Sequence, residues 1–140
     1  NHLRKISDEL NYEYPVYYIK QIKLNDISYK KILYDIYDDI PLSKRINKIK
    51  INKINKIGII WIDNHKEDKF KRFEKNVLNS LKRIITGEIK DDMLYMNKYF
   101  YQTVENSQII LNKNSLDMLS YGKNNLFDKS FLLFNTFIIA

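Results

Sequence analysis

Between Arg45 and Gly87 the apolar residues of the chain change period once, from two to about 3.6, and that single change limits the folds open to it. Ile49 and Ile51 alternate with Lys48 and Lys50, and Ile57, Ile59 and Trp61 alternate with Gly58 and Ile60. That pattern fits two strands or one long kinked strand, with one apolar face and one lysine-bearing face. Phe70, Phe73, Val77, Leu81 and Ile84 then make a single helical stripe, flanked by Leu78 and Ile85, while Lys71, Arg72, Lys75, Lys82 and Arg83 fill the rest. Gly87 is placed to end this helix as a left-handed C′ residue. Strand followed by covering helix is the grammar of an α+β domain: a small, mostly antiparallel sheet under two or three amphipathic helices. The tripeptide Ile-Asn-Lys recurs at Ile46, Ile51 and Ile54, a bias of composition too short to be a structural repeat.

Upstream, residues 1–24 read as an N-terminal arm. Pro15 blocks a continuous helix, and Val16, Tyr18, Ile22 and Leu24 suit an extended segment that packs on the domain formed by residues 25–140. A helix is expected next, with Tyr29, Ile32, Leu33, Ile36, Tyr37 and Ile40 on one face, Asn25 or Asp26 as its cap and Pro41 as its stop. Asp35, Asp38 and Asp39 crowd its C-terminal turns, where the helix dipole disfavours anions, and Lys44 and Arg45 stand ready to answer them. Downstream, residues 91–104 read as a short helix followed by a strand. Glu105 to Ser107 read as a turn and Ile109 to Leu111 as a further strand. Residues 114–122 read as a short helix capped by Asn114 or Ser115 and closed at Gly122. The apolar tail, Phe131 to Ala140, is expected to be a buried strand or a docking segment, because left bare it invites aggregation.

The length of 140 residues fits one domain, and 44% hydrophobic content is too high for a disordered chain. The absence of cysteine excludes disulfides, thiolate metal sites and cysteine nucleophiles. The tail is far short of the roughly 20 residues of a membrane span, and the early acidic residues Asp8, Glu9 and Glu13 are unlike an import or secretion signal. Asp63, His65, Glu67 and Asp68 match no known metal-ligand spacing, so neither metal nor cofactor is expected. With two histidines, His2 and His65, and three glycines, the chain offers no catalytic constellation and no phosphate-cradling loop. It reads as no enzyme, with no small-molecule substrate. What remains is charge. The formal balance is +7, carried mostly by lysine, in a composition rich in Ile, Lys, Asn and Tyr of the kind an AT-rich genome imposes. Whatever its origin, such a surface attracts polyanions. Lys44, Arg45, Lys48, Lys50, Lys53 and Lys56 on the ribbon, with Arg72 and Lys75 on the helix, are the candidate phosphate contacts.

The order of landmarks resembles the large-subunit ribosomal protein family that binds five-S rRNA at the central protuberance and reaches toward the P-site tRNA. In that family a first helix ends before a proline, and a strand with a Lys-Ile…Asn flavour follows. A helix then closes on Ile-Thr-Gly-Gln, and a later strand, roughly Val-Thr-Leu-Arg-Gly, precedes a short helix. The collinear counterparts are Tyr29 to Ile40, Pro41, Lys48 to Asn52 or Lys56 to Ile60, Ile85-Thr86-Gly87, and Ile109 to Asn112 leading into Ser115 to Leu119. Glu88 stands where the family has Gln, and Asn112-Lys113 where it has Arg-Gly. The resemblance implies a divergent organellar, mitochondrial member whose partners are rRNA, neighbouring ribosomal proteins and the P-site tRNA. It adds Thr86 and Lys113 to the rRNA-binding set. A cytoplasmic ribosome is the alternative location. The alternative function is a protein-interaction subunit of another organellar or parasite assembly, docking through the apolar tail and the tyrosine-rich arm.

Overall fold

A computed structural model gives the structure, and it describes residues 2–39, 55–64, 69–87, 89, 94–120 and 129–135. Four antiparallel strands form one sheet in the order β1-β2-β4-β3: β1 Val16–Leu24, β2 Asn55–Asp63, β3 Leu94–Met96 and β4 Lys129–Asn135. Helices cover both faces, so the α+β expectation of a small antiparallel sheet under amphipathic helices holds. On one face lie α1 (His2–Asn11) and α3 (Phe70–Lys82), and on the other α2 (Asp26–Ile36), α4 (Phe100–Ile110) and α5 (Lys113–Ser120).

This two-sided cover explains the inner strands. Ile57, Ile59 and Trp61 of β2 point into the core beneath α2 and α4, while Ile60 and Ile62 point into the core beneath α1 and α3. β4 divides likewise, with Phe131 and Leu133 on one side and Leu132 and Phe134 on the other. The expected lysine-bearing face of β2 is therefore replaced by a second apolar face, because a strand covered on both sides needs apolar residues at successive positions. The apolar tail, as far as Asn135, is the interior strand β4 and is no docking segment. Ile49, Ile51 and residues 136–140 lie outside the described residues.

Residues 2–24 are not an irregular arm. α1 buries Leu3, Ile6 and Leu10, and β1 pairs with β2 along its length. The register slips between Val16 and Tyr18, so Tyr17 is an extra residue that sends both Tyr17 and Tyr18 into the α2/α4 core. Tyr18 meets Trp61 at 5.4 Å between ring centroids, and the Tyr17 hydroxyl donates to the Leu119 carbonyl at 3.1 Å.

The first expected helix forms as α2, with Tyr29, Leu33 and Ile36 buried and the Asn25 side chain accepting from the Ser28 N–H at 2.8 Å. Ile40 and Pro41 lie outside the described residues. α3 buries Phe73, Val77 and Leu81, each worth about 2 kcal/mol of removed apolar surface. It packs beside α1, with Arg83 paired to Glu9 at 3.1 Å and the Asn76 amide donating to the Tyr14 hydroxyl at 2.8 Å. Gly87 does adopt φ +92°, but α3 ends at Lys82, and the Ile84 and Ile85 N–H groups close it on Leu81. Gly87 thus turns the chain after the helix and does not cap it.

The order of elements after residue 90 is the reverse of that expected. The strand, β3, comes first, and Thr103 to Ile110 belong to α4, so Glu105 to Ser107 are mid-helix and Ile109 to Leu111 mark the helix end. The cap of α5 is Asn112, whose side chain accepts from the Ser115 N–H at 2.8 Å, in place of Asn114 or Ser115. Gly122 lies outside the described residues.

Candidate nucleic-acid interface

The outer face of α3 is a basic surface. Burial of Phe73, Val77 and Leu81 fixes the rotation of the helix, and that rotation leaves Lys71, Arg72, Lys75 and Lys82 exposed, with Lys69 just before them. Glu74 is the one acidic residue on the helix, and Arg83 is engaged by Glu9. Such a face supplies several cations at helical spacing with no planar, base-reading arrangement, which suits contact with a phosphate backbone.

Of the sequence-derived site residues that are described, only Arg72 and Lys75 come together, on the outer face of α3. Lys113 begins α5, on the other side of the sheet. Lys56 is half-buried in β2 opposite Lys23 of β1, and Thr86 is exposed in the segment after α3. Lys44, Arg45, Lys48, Lys50 and Lys53 lie outside the described residues, as do His65, Glu67, Asp68 and Glu88. Asp63, the remaining metal-capable residue of that group, pairs with the buried Lys129 at 3.8 Å. The Lys129 ammonium also sits 5.1 Å from the centre of the Tyr17 ring, an inward-facing cation. Among the described residues no group of His, Asp and Glu is gathered to hold a metal, and no helix is long and apolar enough to cross a membrane.

A second surface escaped the sequence reading. α4 turns its polar side inward: Gln102, Thr103, Asn106 and Ser107 are buried. Each of three positions finds its partner in another element or at the helix start. The Trp61 indole N–H donates to Ser107 Oγ at 2.8 Å. Thr103 Oγ1 donates to the Lys129 carbonyl and accepts from Asn97 Nδ2 at 2.9 Å. The Gln102 side chain accepts from the backbone N–H groups of both Lys98 and Tyr99, each at 2.9 Å. With its polar residues inside, the helix start presents Tyr99, Phe100 and Tyr101 to solvent, 52%, 39% and 54% exposed. The Tyr99 and Tyr101 rings stack with centroids 5.7 Å apart and planes 10° from parallel, and the Lys98 ammonium lies 5.8 Å from the Tyr99 ring centre. The run Lys98-Tyr99-Phe100-Tyr101, three aromatics beside a lysine and ahead of a polar stretch, is the sequence signal that marks this surface.

Both surfaces open from the same end of the sheet. β2 and β3 each run antiparallel to β4 and so point the same way, and α3 and α4 follow their C-terminal ends. Tyr14, which precedes β1 at that end, meets Phe73 in the first turns of α3 at 5.0 Å between ring centroids. Lys69, Lys71 and Arg72 on one face and Lys98, Tyr99 and Tyr101 on the other therefore flank one rim of the molecule. The chain matches no family model, no curated protein and no solved structure in the comparisons made.

Proposed function

We propose that the chain is a non-catalytic structural component of an organellar, mitochondrial large ribosomal subunit, and that it binds rRNA through a lysine-rich surface. The observation that carries this reading is the outer face of α3, where Lys69, Lys71, Arg72, Lys75 and Lys82 stand against Glu74 alone. The net charge of +7 points the same way, since neutralised phosphates release counterions on binding. The family placement rests on the resemblance in the order of the first helix, the basic segment and the second helix. Its later landmark, Ile109 to Asn112, stands at a helix end and not in a strand. Neighbouring ribosomal proteins and the P-site tRNA are the further partners of this reading.

RNA affinity measured across a salt series tests it. The expected dependence is steep, and replacing Arg72 and Lys75 by alanine lowers the slope of log affinity against log salt by roughly one for each phosphate no longer neutralised. A flat dependence overturns RNA binding, and failure to co-sediment with large ribosomal subunits of the source organelle overturns the ribosomal placement.

A second reading, a protein-interaction subunit of another assembly, draws on α2. Its outer face carries an open depression of about 350 Å³ lined by Ile27, Lys30, Lys31, Tyr34 and Asp35, and Ile27 there is 82% exposed. Loss of a protein partner on Ile27→Asp, with RNA binding unchanged, favours it.

A further inference from the structure

We infer that Tyr99 and Tyr101, with Lys98, form a stacking platform for unpaired bases of single-stranded RNA. The inference rests on the RNA-binding reading and gives it a second mode of contact, distinct from phosphate neutralisation by α3.

The helix start is built in an unusual sense. An amphipathic helix ordinarily buries aromatics and exposes amides and hydroxyls, whereas α4 buries Gln102, Thr103, Asn106 and Ser107 and exposes Tyr99, Phe100 and Tyr101. The two tyrosine rings are already parallel, 10° apart in plane. A flat aromatic base stacks on the outward face of such a pair whatever its identity, because every base has a π-face. The backbone beneath the platform is also tied down. Gln102 ties down the N–H groups of Lys98 and Tyr99, and the Asn97 amide donates to the Tyr99 carbonyl at 2.7 Å. Asn97 itself is anchored to Thr103 and to the Phe131 N–H of β4. Little ordering is left to be done when a base arrives, which is the use of preorganisation.

Charge selects the occupant. An apolar protein surface brings no anion to Lys98, whereas a nucleotide brings a phosphate to meet it. The net charge of +7 and the basic α3 face at the same rim favour the same polyanion. Duplex RNA hides its base faces inside the helix, so the platform discriminates for single strands.

The test is binding of a short single-stranded oligouridine and of a duplex RNA of equal length to the full chain, followed by fluorescence anisotropy. Wild type is expected to bind both. The paired change Tyr99→Ala and Tyr101→Ala is expected to weaken single-strand binding by about 5- to 150-fold while leaving duplex binding and its salt slope unchanged. The paired change to phenylalanine keeps the ring faces and should retain single-strand affinity, which separates stacking from loss of fold. If wild type binds neither RNA, both the stacking platform and the RNA-binding reading fall. If wild type binds both RNAs and the alanine pair weakens neither, or both equally, the platform alone is overturned. A loss of self-association in the alanine pair, with RNA binding untouched, assigns the patch to a protein partner and also overturns the inference.

Discussion

α3 and α4 do the same structural work with opposite chemistry. Each follows a strand that ends at the same rim, and each covers one face of the sheet. α3 does so by burying Phe73, Val77 and Leu81, and is free to show cations outside. α4 does so with Val104 and Ile110 and with the buried polar residues Gln102, Thr103 and Ser107, which are held by hydrogen bonds to β4, Trp61 and the helix's own preceding turn. Apolar burial is non-directional and roughly proportional to area, so an α3-type helix fits any greasy surface of suitable shape. Polar burial is stabilising only where each donor and acceptor is met, so an α4-type helix fits one place in one orientation. The gain from that constraint is on the outside, where tyrosines that would otherwise fill the core become accessible to a ligand.

Four substitutions break or sharpen this contrast, taken from the largest effect to the smallest. Phe73→Ala removes the ring that joins α3 to Tyr14 and the sheet, and thermal or denaturant unfolding should register a loss of about 3–5 kcal/mol. Thr103→Val keeps the volume but leaves the Lys129 carbonyl and Asn97 Nδ2 short of a partner. It should destabilise by about 1–3 kcal/mol, and Thr103→Ser should recover most of that. A near-neutral valine would mean that α4 is held by shape and not by its hydrogen bonds. Gln102→Ala frees the N–H groups of Lys98 and Tyr99 and should cost about 0.5–2 kcal/mol of stability, with faster amide exchange confined to the start of α4. Arg83→Ala removes an exposed ion pair to Glu9 and should change stability by at most about 1 kcal/mol, less at high salt. A larger effect there would show α1 and α3 to be joined by charge more than by their apolar faces.

How much could be read in advance follows the same division. The stripes Tyr29, Leu33, Ile36 and Phe73, Val77, Leu81 name the buried faces of α2 and α3 without further help. The apolar run Ile57 to Ile62 reads as a strand and Phe131 to Phe134 as a buried strand or docking segment, but a lysine-bearing face is expected of the first. Only the assembled sheet shows that β2 is covered on both sides and that β4 lies between β2 and β3. Ile109 to Leu111 misled because a short apolar run reads alike in a strand and at a helix end, and here Ile109 is exposed. The candidate interface was half legible: Arg72 and Lys75 follow from the stripe of α3, whereas no periodicity marks Tyr99 and Tyr101 as outward-facing.

The sequence by itself therefore determined those elements whose burial is a sum over single residues, each apolar side chain leaving water on its own account. Only the tertiary structure decided the direction of α4 and with it the aromatic platform. The partner of Ser107 is Trp61, 46 residues away, and that of Thr103 is the Lys129 carbonyl, 26 residues away. A buried polar residue is stable only when such a partner is present, and no local pattern of residues records that it will be.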